Sequence, residues 1–148
     1  MLAKLFLQYL LAVTFGVGVD EGFATLYGTP GDIWAGGDMA CFHRPVPQDE
    51  PLCAHRWLPC GTRVSVTNLE RSASTTCVVA DRGPFGIDRD SGRWRGILDL
   101  TPFAAKKARL DGRDFVRLIY RLPDPGHKTY RETRFLRADR NRAFGPIM

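Results

Sequence analysis

The chain has 148 residues, 44% of them hydrophobic and 25% charged, with four cysteines and a formal net charge of +5. That length holds one domain with its own core, and the ordinary apolar content excludes a chain that stays disordered throughout. The charge is uneven: from Arg121 onward, Arg121, Lys128, Arg131, Arg134, Arg137, Arg140 and Arg142 oppose only Asp124, Glu132 and Asp139, which leaves +1 for everything before.

Residues 1–19 carry one early positive charge, Lys4, then an apolar run from Leu5 to Val19 broken by Gln8, Thr14 and glycines, with Asp20 and Glu21 following. This is the pattern of a secretory signal. A lasting membrane span needs about 20 predominantly apolar residues, so cleavage is expected, around Val17–Val19, with an uncleaved N-terminal anchor helix as the alternative. No cysteine follows the run, which argues against a lipoprotein. The expected location is the bacterial periplasm or cell envelope.

The next elements read mostly as strands. Gly22–Gly28 is a short strand closed by glycine, and the Gly- and Pro-rich segment after it is a loop. Thr62–Leu69 places Val64, Val66 and Asn68 on one face by strict alternation, and Ser74–Asp81 does the same for Cys77, Val79 and Asp81 before the turn residues of "RGPFG". Arg95–Leu100 and Asp114–Leu122 are two further strands. Between them "TPFAAKKARLDG" reads as a helix, with Thr101 as N-cap, Pro102 at the first helical position and Gly112 beyond its end. Several short strands with one helix suggest a small barrel.

Cys41, Cys53, Cys60 and Cys77 in an exported chain read as two disulfides, for which three pairings exist. The two Cys-x-His units, Cys41–His43 and Cys53–His55, carry metal-ligand residue types. Their single-residue inner spacing differs from finger spacings, and zinc would require a reducing compartment. Neither a metal nor a cofactor is expected.

The motifs "HRWLPCGTRVSVTN", "VVADRGPFG" and "LDLTPFAAKKA", in that order, with "GFATLYG" as an opening strand, resemble the double-psi β-barrel of the RlpA (rare lipoprotein A) family. The resemblance runs over residues 22–121. It implies an all-β, six-stranded double-psi barrel with one or two short helices; by its charge the segment beyond it, 122–148, reads as a basic extension. It also implies an endolytic peptidoglycan transglycosylase that cleaves glycan strands stripped of stem peptides and leaves anhydro-muramic acid ends. The alternative is a non-catalytic, expansin-like module that binds wall glycan.

That chemistry needs a group that protonates the glycosidic oxygen and takes a proton from the sugar's own hydroxymethyl group. Asp99 matches the functionally required aspartate of related barrels. Asp81, at a strand end, is the second candidate, or a neighbour that pushes Asp99 upward by like-charge proximity. The bland roles are a turn aspartate for Asp81 and a helix cap for Asp99. If Cys53 pairs with Cys77, leaving Cys41 with Cys60, alternation brings His55 near the face carrying Asp81, to orient the carboxylate or touch sugar.

The sequence departs from the family in two places. Leu26 stands where a tryptophan is usual, so Trp57 or Trp94 would have to offer the aromatic face. The acidic loop before "AHR" keeps only Asp49 and Glu50, of which Glu50 is the candidate replacement for the family glutamate. Tyr27, Thr62 and Arg82 complete the expected substrate contacts. The expected partner is peptidoglycan glycan bound by a monomer, not nucleic acid, and the basic tail suits anionic wall polymer or a membrane surface.

Overall fold

The computed structural model describes residues 16–87 and 89–121; residues 1–15 of the expected signal segment (1–19) and the basic extension after Arg121 lie outside the described residues. Six strands form a closed barrel: β1 (Val17–Leu26), β2 (Leu52–Ala54), β3 (Arg63–Asn68), β4 (Ala73–Asp81), β5 (Leu98–Leu100) and β6 (Asp114–Arg121). Their order around the barrel is β1-β5-β2-β4-β3-β6. The β1–β5 and β2–β4 pairs are parallel and the others antiparallel. This interleaving is the barrel that the resemblance implied.

Alternation sets the core. Val64, Val66 and Asn68 of β3 point inward, as do Cys77 and Val79 of β4 and Val116, Leu118 and Tyr120 of β6. Ala24, Leu98 and Leu100 fill the opposite wall. The inward Asn68 is satisfied: its amide donates to Ala108 O (3.0 Å) and Asp114 Oδ2 (2.8 Å). Arg71 Nε (3.1 Å) and the Asp111 N–H (3.1 Å) converge on the same Asp114 oxygen. Burial raises the Asp114 carboxyl, but these donors outweigh it and hold the group below its ordinary value.

β1 and β2 differ most from the sequence reading. β1 starts at Val17, five residues ahead of the expected Gly22, and pairs with β6 from Val17↔Arg121 onward. The residues where cleavage was expected are thus barrel residues. Gly18 explains why they fit: a Cβ there would overlap the Tyr120 ring, whose hydroxyl donates to Asp20 Oδ2 at 2.6 Å. β2 was missed because Leu52, Cys53 and Ala54 are all buried, so no alternation marks them.

The helix α1 (Pro102–Lys107) begins where expected but ends early. Thr101 is its N-cap by position, yet its hydroxyl bonds the β2 neighbourhood instead, donating to Glu50 O (2.7 Å) and accepting from the Leu52 N–H (3.1 Å). The helix stops at Arg109, which is left-handed (φ 52°), with the Leu110 N–H returning to Ala105 O (2.9 Å) and the Arg109 N–H to Lys106 O (3.1 Å). That is a Schellman ending with arginine in the usual glycine place; Gly112 lies beyond it. Ala104, Ala105 and Ala108 close the core.

Both disulfides have the expected pairing, Cys41–Cys60 (Cα–Cα 5.6 Å) and Cys53–Cys77 (5.8 Å). The second ties β2 to β4 inside the core, and the first fastens the loop after β1 to the start of the β3 approach.

Candidate active site

β5 is wedged between β1 and β2, and this placement assembles the site. Asp99 faces Thr25 of β1 in parallel register and Ala54 of β2 in antiparallel register. Ala54 in turn faces Asp81 on its other side. The two candidate carboxylates therefore flank one small residue at the same level of the barrel. Leu98 and Leu100 point into the core, so alternation turns Asp99 away from it.

Asp99 is enclosed without being sealed. Thr25 Oγ1 donates to its Oδ1, and Gly83 packs against its Oδ2, where a Cβ would come within 3.5 Å. Burial pushes the Asp99 carboxyl from 3.8 up to about 6. The Thr25 bond and the Arg56 charge pull it down, while Asp32 and Asp81 add to the rise. Tyr27, two residues beyond Thr25 and just past the end of β1, lies close enough to both carboxylates for their charges to act on its hydroxyl. Burial first, then Asp81 and Asp99, raise the phenol above its ordinary value.

Asp81 performs the turn role. Its Oδ1 accepts from the Arg82 N–H (2.8 Å) and the Ala40 N–H (2.9 Å), joining the end of β4 to the loop of Cys41. It also supplies like charge toward Asp99, as expected, but burial is the larger cause of the Asp99 rise. Asp99 does not cap α1; its oxygen serves Thr25.

His55 reaches Asp81 through its backbone, the N–H donating to Asp81 O (3.1 Å). Its ring is fully buried, with Nδ1 accepting from the N–H groups of Leu58 (3.1 Å) and Trp57 (3.3 Å) and an edge-to-face contact on Trp57 at 4.5 Å. The histidine thus shapes the turn after β2. Arg82 fastens the same turn from outside, Nη1 donating to Leu58 O (2.7 Å) and His55 O (3.2 Å).

Arg56 was not anticipated as a site residue. It is 9% exposed. Its Nη1 donates to Pro84 O (2.6 Å) and Gly96 O (2.7 Å), and its guanidinium lies 4.7 Å from the Trp94 ring and 5.2 Å from that of Trp57. Burial lowers its pKa to about 10, opposed by Asp99. Arg56 therefore couples the loop after β4 to the loop before β5 and sets a positive charge behind the candidate acid. Thr25 and Asp32 were missed as well. Strand register would have revealed Thr25, but the parallel β1–β5 pair is not legible from one sequence.

The other expected residues separate into two groups. Trp94 is half-buried beside Arg56, and Tyr27 belongs to the Asp99 cluster. Trp57 is 7% exposed and part of the core. Thr62 sits in the turn before β3, its carbonyl accepting from the Val79 N–H (2.9 Å). Glu50 is held in a two-pronged pair by Arg44, at 2.8 and 2.6 Å, which keeps its carboxylate below the usual range.

Over 86 residues the chain is 40% identical to a protein of Nostoc sp. named probable endolytic peptidoglycan transglycosylase RlpA. Over 59 residues it is 44% identical to a protein of the same name from Synechocystis sp.. The barrel is RlpA-like. These matches cover 58% and 40% of this chain, and it spans only 21% and 16% of the relatives' lengths. No protein-family model matches the chain. The RlpA-like barrel here thus represents a small share of each relative.

Proposed function

We propose that this RlpA-like barrel is a lytic transglycosylase acting on peptidoglycan glycan strands, with Asp99 as general acid and base. The observation that carries the reading is a carboxyl raised to about 6 by burial, bonded to Thr25 and within the influence of the Arg56 charge. Such a group exchanges a proton near neutrality. Protonated Asp99 would give its proton to the glycosidic oxygen as the C1–O bond breaks. The resulting carboxylate would take the proton of the C6 hydroxyl as O6 closes on C1, forming the anhydro ring and restoring the acid without consuming water. The expected setting is the exported cell-envelope compartment, where both disulfides persist.

A second reading, a barrel that binds wall glycan without cleaving it, is favoured by one feature: the Glu50 carboxylate is occupied by Arg44. The test is incubation of the oxidised protein and its Asp99→Asn and Asp81→Asn variants with purified peptidoglycan and amidase-stripped strands, followed by mass spectrometry for anhydro-muramyl ends. Such ends from wild type that vanish in Asp99→Asn support the enzyme. Retained sedimentation with glycan and no anhydro ends support the binder.

A further inference from the structure

Beside Asp99 the loop after β4 carries an apolar edge that the reaction chemistry does not use. Phe85 is 61% exposed and Ile87 54% exposed, with Phe85 6.3 Å from Trp94 in an edge-on arrangement. The edge is firmly mounted. The Arg95 N–H donates to Gly86 O (2.8 Å), Ile87 and Trp94 form an antiparallel bridge, and Arg56 holds both roots through Pro84 O and Gly96 O.

Gly83 separates this edge from the acid. The Cβ it lacks would lie 3.5 Å from Asp99 Oδ2 and 3.9 Å from Phe85 Cδ2, and its φ of 137° belongs to glycine. The Phe85 ring and the Asp99 carboxyl are thus neighbours across the position where Gly83 has no side chain. Isolated exposed apolar residues need no explanation, but a ring carried on a loop whose backbone is held at both roots, next to the site carboxyl, provides a flat apolar surface with little backbone ordering left to lose on binding.

We propose that Phe85, extended by Ile87 and the edge of Trp94, is the stacking platform for a pyranose ring of the glycan strand next to the bond facing Asp99. This inference rests on the glycan-cleaving reading and names a binding subsite for it. The ligand class is a neutral sugar face, so recognition is apolar stacking and depends little on salt.

The test measures sedimentation of amidase-stripped strands with Asp99→Asn, alone and combined with Phe85→Ala, Phe85→Trp or Ile87→Ser, together with kcat and KM of the single variants. Phe85→Ala is expected to weaken strand binding about tenfold and raise KM similarly with kcat within about twofold, while Phe85→Trp restores both. Thermal midpoints should hold, since both side chains are exposed. Binding within about twofold of the parent in Phe85→Ala, or a Phe85→Trp protein as weak as the alanine variant, overturns the platform. Anhydro ends formed with unchanged KM would leave the catalytic reading standing without it. Weakened sedimentation in Phe85→Ala with no anhydro ends from wild type would do the reverse.

Discussion

Replacing Asp99 by Asn should make the protein more stable at neutral pH. The carboxyl titrates at about 6 in the fold against 3.8 in an ordinary setting. Between those values the native state binds more protons than the unfolded chain, so stability falls as pH rises through the window and stays lower above it. At about 1.36 kcal/mol per pH unit the cost is on the order of 3 kcal/mol. Asparagine carries no charge and escapes it. Urea unfolding of the two proteins should coincide near about pH 3.5 and separate near about pH 7.5, with the variant's midpoint roughly 1–2 M higher. A variant equally or less stable at the higher pH, or a difference that ignores pH, would refute the claim that burial of a charge shapes this site.

Arg56→Gln removes the positive charge behind Asp99, so the Asp99 midpoint followed by carboxyl-carbon NMR should move upward, and Arg56→Lys should move it less. If Asp99 is the acid, wild-type cleavage of strands should decline above about pH 6 as the protonated fraction falls, and the Arg56→Gln decline should begin at higher pH. Replacing Cys53 and Cys77 by alanine opens a 24-residue loop and should cost about 3 kcal/mol in chemical unfolding. Gly18→Val drives a side chain into the Tyr120 ring, and a loss of about 1–3 kcal/mol should appear in the same assay. A chain that starts at Asp20 should lose stability too, since Val17–Val19 pair with β6.

The barrel was legible where one face of a strand is buried and the other wet. Val64 and Val66 announce β3, and Val116, Leu118 and Tyr120 announce β6, because burial alternates along them. β2 hid because Leu52–Ala54 is buried on both faces, and β5 was expected to be longer because Arg95–Ile97 looks like strand. Asp99 and Asp81 could be named from motifs, and strand register brings both beside Ala54. The roles of Thr25 and Arg56 could not be named. Thr25 reaches Asp99 across 74 residues of chain, and Arg56 matters because of carbonyls at Pro84 and Gly96.

The same topology explains why the site's parts come from separate segments. A three-residue strand such as β5 contributes one outward residue, so Asp99 stands alone on its own element. Its environment has to be imported: Thr25 from β1, Gly83 from the loop after β4, and the Arg56 charge from the turn after β2. Parallel pairing of β5 with β1 prevents a tight hairpin between them, and the long connection contains the loops, disulfides and turns that carry those groups. Arg56 is the residue on which this arrangement converges. It joins two loops through backbone carbonyls, sits against Trp94 beneath the apolar edge, and opposes the desolvation that raises Asp99. Loss of its charge and loss of its geometry are therefore separable: lysine keeps the first and abandons the second, so it should spare the Asp99 titration while loosening the mount of Phe85.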